Sequence, residues 1–85
     1  MPMYFFNLRR TGEVFPDTEG QEFPDLNTAR IEAIEGAREL AADRVRSGKP
    51  INLADCFDIT DEAGQVQATV EFSEAMEIIG NDAIK

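Results

Sequence analysis

The sequence has no histidine, a single cysteine and only eight basic residues against seventeen acidic ones. Without histidine it lacks the side chain most often used as a general base and as a metal ligand. Nucleophile–base pairs of the Ser–His or Cys–His kind are excluded with it. The lone thiol, Cys56, rules out an intrachain disulfide. Long apolar runs are also missing, and Met1-Pro2-Met3-Tyr4-Phe5-Phe6-Asn7 carries no basic stretch ahead of an apolar one. Neither a signal peptide nor a membrane-spanning helix is expected, and a cytoplasmic location is. The six glycines are scattered, so no Gly-rich loop is available to cradle a phosphate.

The shortage of basic residues leaves a formal net charge of −9. Nucleic acid and anionic membrane surfaces both select for the opposite sign, so neither is an expected partner. A basic protein, a cation or plain solubility by self-repulsion is compatible with this charge. At 85 residues the chain is one domain. A domain of this size has a stability on the order of 4–13 kcal/mol. The composition, 42% hydrophobic and 29% charged, is that of a globular chain able to bury a core.

Period-two alternation of aromatic and aliphatic residues predicts a first strand over Met3–Arg9, with Tyr4, Phe6 and Leu8 on one face. A turn at Arg10-Thr11-Gly12 leads to a short second strand, Glu13-Val14-Phe15, which Pro16 stops. Gln21-Glu22-Phe23 extends briefly before Pro24. Asp25 then sits where a helix N-cap belongs. From Leu26 to about Arg46 the apolar residues Leu26, Ala29, Ala33, Ile34, Ala37, Leu40, Ala41 and Val45 recur with helical period, and Glu32, Glu35, Glu39, Asp43 and Arg46 take the other side. Ser47-Gly48 ends this helix and Pro50 prevents its resumption. A third strand, Asp55–Thr60, is joined through Asp61-Glu62-Ala63-Gly64 to a fourth, Gln65–Phe72, in which Val66, Ala68, Val70 and Phe72 share a face. A short helical segment, capped by Ser73, follows, and residues 80–85 are expected to fray. The predicted fold is α+β. It is a small antiparallel sheet of three to four strands in β-β-α-β-β order, with one long helix on one face and a short C-terminal helical segment, and residues 1–79 form one domain.

The residues Tyr4-Phe5-Phe6, Asp17-x-Glu19-Gly20, Phe23-Pro24-Asp25-Leu26, the alanine-spaced helix and Thr60-Asp61-Glu62-Ala63-Gly64 occur in a recognisable order. In this the chain resembles a family of short, uncharacterised alphaproteobacterial proteins known only as a domain of unknown function. The resemblance spans nearly the whole chain and implies the fold but no activity. A more partial similarity is to the N-terminal domain of HicB-type antitoxins. It rests on Phe23-Pro24-Asp25-Leu26 and the four-residue spacing of Ala29, Ala33, Ala37 and Ala41. HicB domains usually place a glycine-containing loop before the helix, whereas this chain runs straight into it. That similarity implies an antitoxin-like role.

Five features carry chemistry worth testing. The acidic turn, with Asp17, Glu19, Glu22 and Asp25 around Gly20, offers oxygen ligands to a hard cation, but its spacing is not that of an EF-hand. A solvated turn in which Asp17 bonds its own backbone accounts for the same residues. Cys56 stands between Asp55 and Phe57 with Asp58 close by, and acidic neighbours disfavour a reactive thiolate. Arg30 and Arg44 lie near the apolar arc of the helix, where their stems cover core edge or their heads grip an anion. The sheet face away from the helix takes Met3, Phe5 and Cys56, and is closed either by the segment holding Met76, Ile78 and Ile79 or by another chain. Paired carboxylates are the last candidate, as an acid–base couple, and each reads as solvated.

These readings assign no catalytic, cofactor-binding or metal-binding residue, no cofactor and no small-molecule substrate. The expected function is that of a non-catalytic interaction or accessory protein, not an enzyme. It acts as a monomer or homodimer, or on a protein partner, through an interface at Met3, Phe5, Cys56, Met76 and Ile78. One alternative is an acidic, antitoxin-like inhibitor of a basic protein. The other is a weak metal-binding protein or an enzyme built on the acidic turn.

Overall fold

Aromatic alternation fixes the central strand of the sheet. A computed structural model describes residues 1–50 and 52–75. In it β1 (Met3–Arg10) pairs antiparallel with β4 (Cys56–Thr60), Phe6 facing Ile59 and Leu8 facing Phe57. On its other side β1 pairs with β2 (Glu13–Phe15) near its end and with β3 (Gln21–Glu22) near its start, both antiparallel. The fourth neighbour, β5 (Val66–Glu71), pairs antiparallel with β4, so the sheet runs β2-β1-β4-β5 with β3 beside β1. That is five strands, one more than the sequence suggests, because Gln21-Glu22 does extend and finds Met3 and Tyr4 as partners.

The helix α1 (Leu26–Arg46) follows β3 directly. Asp25 caps it, its carboxylate accepting from Thr28 N–H at 2.8 Å and from the Thr28 hydroxyl at 2.7 Å. At the other end Gly48 takes φ +72°. Its N–H donates to Val45 C=O, and Lys49 N–H donates to Arg44 C=O at 2.8 Å. This is the paired closure that a left-handed residue after the helix permits. Ala29, Ala33, Ala37 and Ala41 are buried along one stripe. With only a methyl group at each of these positions, the helix backbone lies close to the sheet. The exposed side carries Glu32, Glu35, Glu39 and Asp43.

The core lies between this stripe and one sheet face. Ile59, Val70, Phe72 and Phe23 are buried, and Tyr4, Phe6, Leu8 and Phe57 pack against them. The rings run in sequence, Phe6 stacked on Phe23 at 5.7 Å and Phe57 tilted on Phe72 at 5.6 Å between centroids. The face assignment made from alternation therefore holds for β1 and β4. Two residues depart from it. Pairing of β4 with β5 is regular to Ile59↔Ala68 and then skips, Thr60 facing Val66. The extra residue moves Val66 off the core face, and it is 58% exposed. Val45 is 63% exposed as well, because Ala41 is the last buried residue of α1 and the final turn runs past the apolar layer.

The turn at Asp61 closes as expected. Its Oδ1 accepts from Ala63 and Gln65 N–H at 2.9 and 3.0 Å, and Gly64 has φ +84°. A helical turn begins at Phe72 and continues through residue 75. Ser73 therefore lies inside the turn and does not cap it; its hydroxyl donates to Glu71. Met76, Ile78, Ile79 and residues 80–85, for which a covering segment and a frayed tail are predicted, lie outside the described residues. Among the described residues no helix is long and apolar enough to cross a membrane.

Candidate functional site

The Asp17 loop is a structural device. Between β2 and β3 the edge of β1 has no strand partner, and Phe6 N–H would be left unpaired there. Asp17 takes it instead: Oδ2 accepts from Phe6 N–H at 3.1 Å, while Oδ1 accepts from Glu19 and Gly20 N–H at 3.1 Å each. Asn7 Oδ1 in turn accepts from Asp17 N–H at 2.8 Å. Burial alone would push the Asp17 carboxyl up, but the N–H groups of Gly20, Phe6 and Glu19 outweigh it and hold its pKa below the usual value. With Asp17 bound to backbone and Asp25 capping the helix, the acidic turn does not converge on a point. Among the described residues no three acidic or cysteine side chains gather as metal ligands.

The sheet face away from the helix holds Met3, Phe5, Asn7 and Arg9 of β1 beside Cys56, Asp58 and Thr60 of β4. Met3 and Phe5 are half-buried there. Phe5 packs on Gly20, which has φ +70° and where a Cβ would stand 2.6 Å from the ring. Cys56 is buried, 3% exposed, and offers no surface to a partner. Burial pushes its thiol pKa up, only partly opposed by Arg9. Apart from Val66, which the β4–β5 skip turns onto this side beside Thr60, the rest of the face is polar. Arg9 grips Asp58 through two nitrogens at 2.8 and 3.2 Å, and the Thr69 hydroxyl donates to Asp58 at 2.8 Å. This bonding, led by Arg9, holds the Asp58 pKa down and raises that of Arg9. The arginine side chain is 51% exposed, so solvent screens the pair. It orients the face more than it stabilises the fold. The apolar face anticipated from alternation is thus closed in part by the chain's own loop.

Among the described residues the outer edge of β5 has no strand partner. Phe72 N–H donates to Asp55 C=O at 2.9 Å, which extends the β4–β5 register by one pair. Alternate pairs from there, Phe57–Val70 and Ile59–Ala68, exchange the ladder bonds, so the main-chain groups of Thr69 and Glu71 point off the far side. Among the described residues no strand occupies that side.

A cleft of about 260 Å³ opens where the β1–β2 turn meets the chain leaving α1. Arg10, Thr11, Glu13, Arg44, Asn52 and Asp55 line it together with Pro50. Arg10 Nε lies 3.2 Å from Asp55 Oδ2, and the Asp55 side chain is only 4% exposed. The distance suits an ion pair, but the angle does not make a hydrogen bond. Arg10 Nε and Asp55 Oδ1 are both buried without a hydrogen-bond partner. The Arg10 guanidinium stacks 5.9 Å from the centre of the Phe15 ring. Arg44 reaches Pro50 C=O at 3.5 Å, the outer limit of a hydrogen bond. Sequence reasoning singled out Arg44 but passed over Arg10 and Asp55. Nothing local marks these two, which stand 45 residues apart and meet only because β1 and the β4 approach are neighbours. Arg30, the other arginine singled out, pairs with Glu74 at 3.2 Å and ties α1 to the C-terminal turn.

Residues 3–73 match the family model described as "Domain of unknown function (DUF6894)", and the chain belongs to that family. The match runs from β1 into the C-terminal turn and takes in the Asp17 loop, the helix and the Asp61 turn. No curated protein and no solved structure matches the chain.

Proposed function

We propose that this family member is a non-catalytic accessory protein that binds another protein along the free edge of β5 and the polar sheet face beside it. The observation that supports this reading is the two-layer build. The shortest dimension is 17 Å, one helix on one sheet, and among the described residues no second layer covers the other sheet face. Thr69 and Glu71 present outward main-chain groups along the adjoining edge, the arrangement by which an extended segment adds to a sheet. A net charge of −9, with Glu32, Glu35, Glu39 and Asp43 exposed along the helix, favours a partner of basic surface and disfavours a second copy of the chain. A cytoplasmic setting, an origin among alphaproteobacteria and a kinship with HicB antitoxins belong to the same proposal. The origin rests on the ordered motifs Tyr4-Phe5-Phe6, Asp17-x-Glu19-Gly20, Phe23-Pro24-Asp25-Leu26 and Thr60-Asp61-Glu62-Ala63-Gly64, the HicB kinship on Phe23-Pro24-Asp25-Leu26 and the alanine spacing of the helix, and the cytoplasmic setting on a composition with a single cysteine.

The test compares wild type with Thr69→Pro, using Thr69→Val as the control for loss of the bond to Asp58. Proline at position 69 removes an outward N–H and leaves the inward ladder intact. Retention of one basic protein by wild type and Thr69→Val, lost with Thr69→Pro and lost again at high salt, supports the reading. Retention that Thr69→Pro leaves unchanged overturns the edge. Light scattering that shows a wild-type dimer, split by Thr69→Pro, replaces the basic partner with a second copy.

A further inference from the structure

Among the described residues three buried side-chain atoms have no hydrogen-bond partner: Arg38 Nε on α1, and Arg10 Nε and Asp55 Oδ1, which meet in the cleft between the β1–β2 turn and the end of α1. A buried carboxylate oxygen without a donor is costly, and such groups in a native fold call for an explanation. Asp55 has one, and its side chain is more than nine-tenths buried in the cleft wall. The chain has only eight basic residues, yet two guanidinium groups converge here, Arg10 and Arg44. Arg10 turns its Nε toward Asp55, and its guanidinium lies over the Phe15 ring. Its two terminal nitrogens have no hydrogen-bond partner among the described side chains and backbone. A guanidinium presents a planar fork that fits a carboxylate through two parallel bonds.

We propose that this cleft binds the α-carboxylate of an apolar amino-acid residue. Arg10 and Arg44 take the carboxylate, the residue's N–H or ammonium group donates to Asp55, and its side chain lies against Phe15 and Leu53. Phe15, under the Arg10 guanidinium, is 46% exposed and Leu53 is 49% exposed. Leu53 follows the lining residue Asn52 in the loop. The cleft volume of about 260 Å³ lies just under the range of about 300–1,000 Å³ that holds drug-sized ligands, a size that suits a single residue. The lining charges balance, Arg10 and Arg44 against Glu13 and Asp55, as suits a ligand bearing both a carboxylate and a donor.

Two sources share this chemistry, a free amino acid and the C-terminus of a peptide. The experiment follows the side-chain Nε–H signals of Arg10 and Arg44 by nitrogen–proton NMR on the full chain. Leucine, the tripeptide Gly-Gly-Leu and leucinamide are titrated separately. The expected result is a saturable shift of both arginine signals with at least one of the first two probes, and none with leucinamide, which lacks the carboxylate. Saturation by leucine identifies a free amino acid. Saturation by the tripeptide alone identifies a peptide terminus. Arg44→Ala, a half-buried position on the helix flank, keeps the fold and weakens binding by at least about tenfold. Arg10→Lys keeps the charge, removes the fork and is expected to weaken binding similarly. Equal shifts with leucinamide, or no saturable shift with any probe while the spectrum is that of the folded chain, overturn the proposal. The β5 edge is untouched by these variants, so either site can fail without the other.

Discussion

Replacing Gly20 with alanine separates two costs that the structure assigns to one position. The first is conformational. Gly20 has φ +70°, and an L-residue there loses about 1–2 kcal/mol. The second is steric. The new Cβ would lie 2.6, 2.9 and 3.0 Å from three carbons of the Phe5 ring, closer than real Cβ atoms approach. Pushing a methyl group into an occupied space costs about 1–3 kcal/mol more. Gly12 provides the comparison, with φ +77° and nothing within 4 Å, so Gly12→Ala carries the first cost alone. Urea unfolding followed by circular dichroism is the assay. With a slope of about 1 kcal/mol per molar for a small domain, Gly20→Ala lowers the midpoint by about 2–5 M and Gly12→Ala by about 1–2 M. Against a total stability on the order of 4–13 kcal/mol, the first variant is marginally folded. Phe5→Ala supplies the closing arm, since without the ring Gly20→Ala has no steric cost and falls to the Gly12 value. Equal midpoints for Gly20→Ala and Gly12→Ala would refute the packing of Phe5 on the loop.

Asp25→Ala removes both bonds to Thr28 and is expected to destabilise the chain by about 1 kcal/mol, read as a urea midpoint. Gly36→Ala gains about 0.5–1 kcal/mol, because an added Cβ meets only Phe57 at an ordinary 3.9 Å; a loss in thermal unfolding would show that α1 sits tighter than described. Asp17, Asp25 and Asp58 have folded pKa values below the ordinary 3.8, so folding favours their ionised forms. Their contribution is complete above the unfolded value and disappears as pH falls through the lower folded values, so the urea midpoint should drop below about pH 4 and Asp58→Asn should flatten that drop. Cys56 is buried with a raised pKa, so a thiol reagent at neutral pH is expected to modify it slowly in the folded chain and rapidly in urea; equal rates would contradict the burial.

Local pattern carried much of the fold. Alternation placed Tyr4, Phe6 and Leu8 under the helix, the alanine spacing gave the buried stripe of α1, and Asp25 and Gly48 marked its ends, since each of these signals is complete within a few residues. The bonding of Asp17 to its own backbone was legible for the same reason. The tertiary structure decided what depends on residues distant in the chain. The skip between β4 and β5 turned Val66 outward, a register effect that β5 alone does not encode. Gly20 folded back onto Phe5 and altered a sheet face that alternation left apolar. The meeting of Arg10 with Asp55 follows from strand order, and no spacing rule reaches across 45 residues. The sequence by itself determined the elements, the acidic surface and the absence of histidine-based chemistry, because these are sums over residues or short-range preferences. Which edge stays open, which thiol is covered and where two arginines converge belonged to the three-dimensional packing, because each is a property of pairs brought together only by the folded sheet.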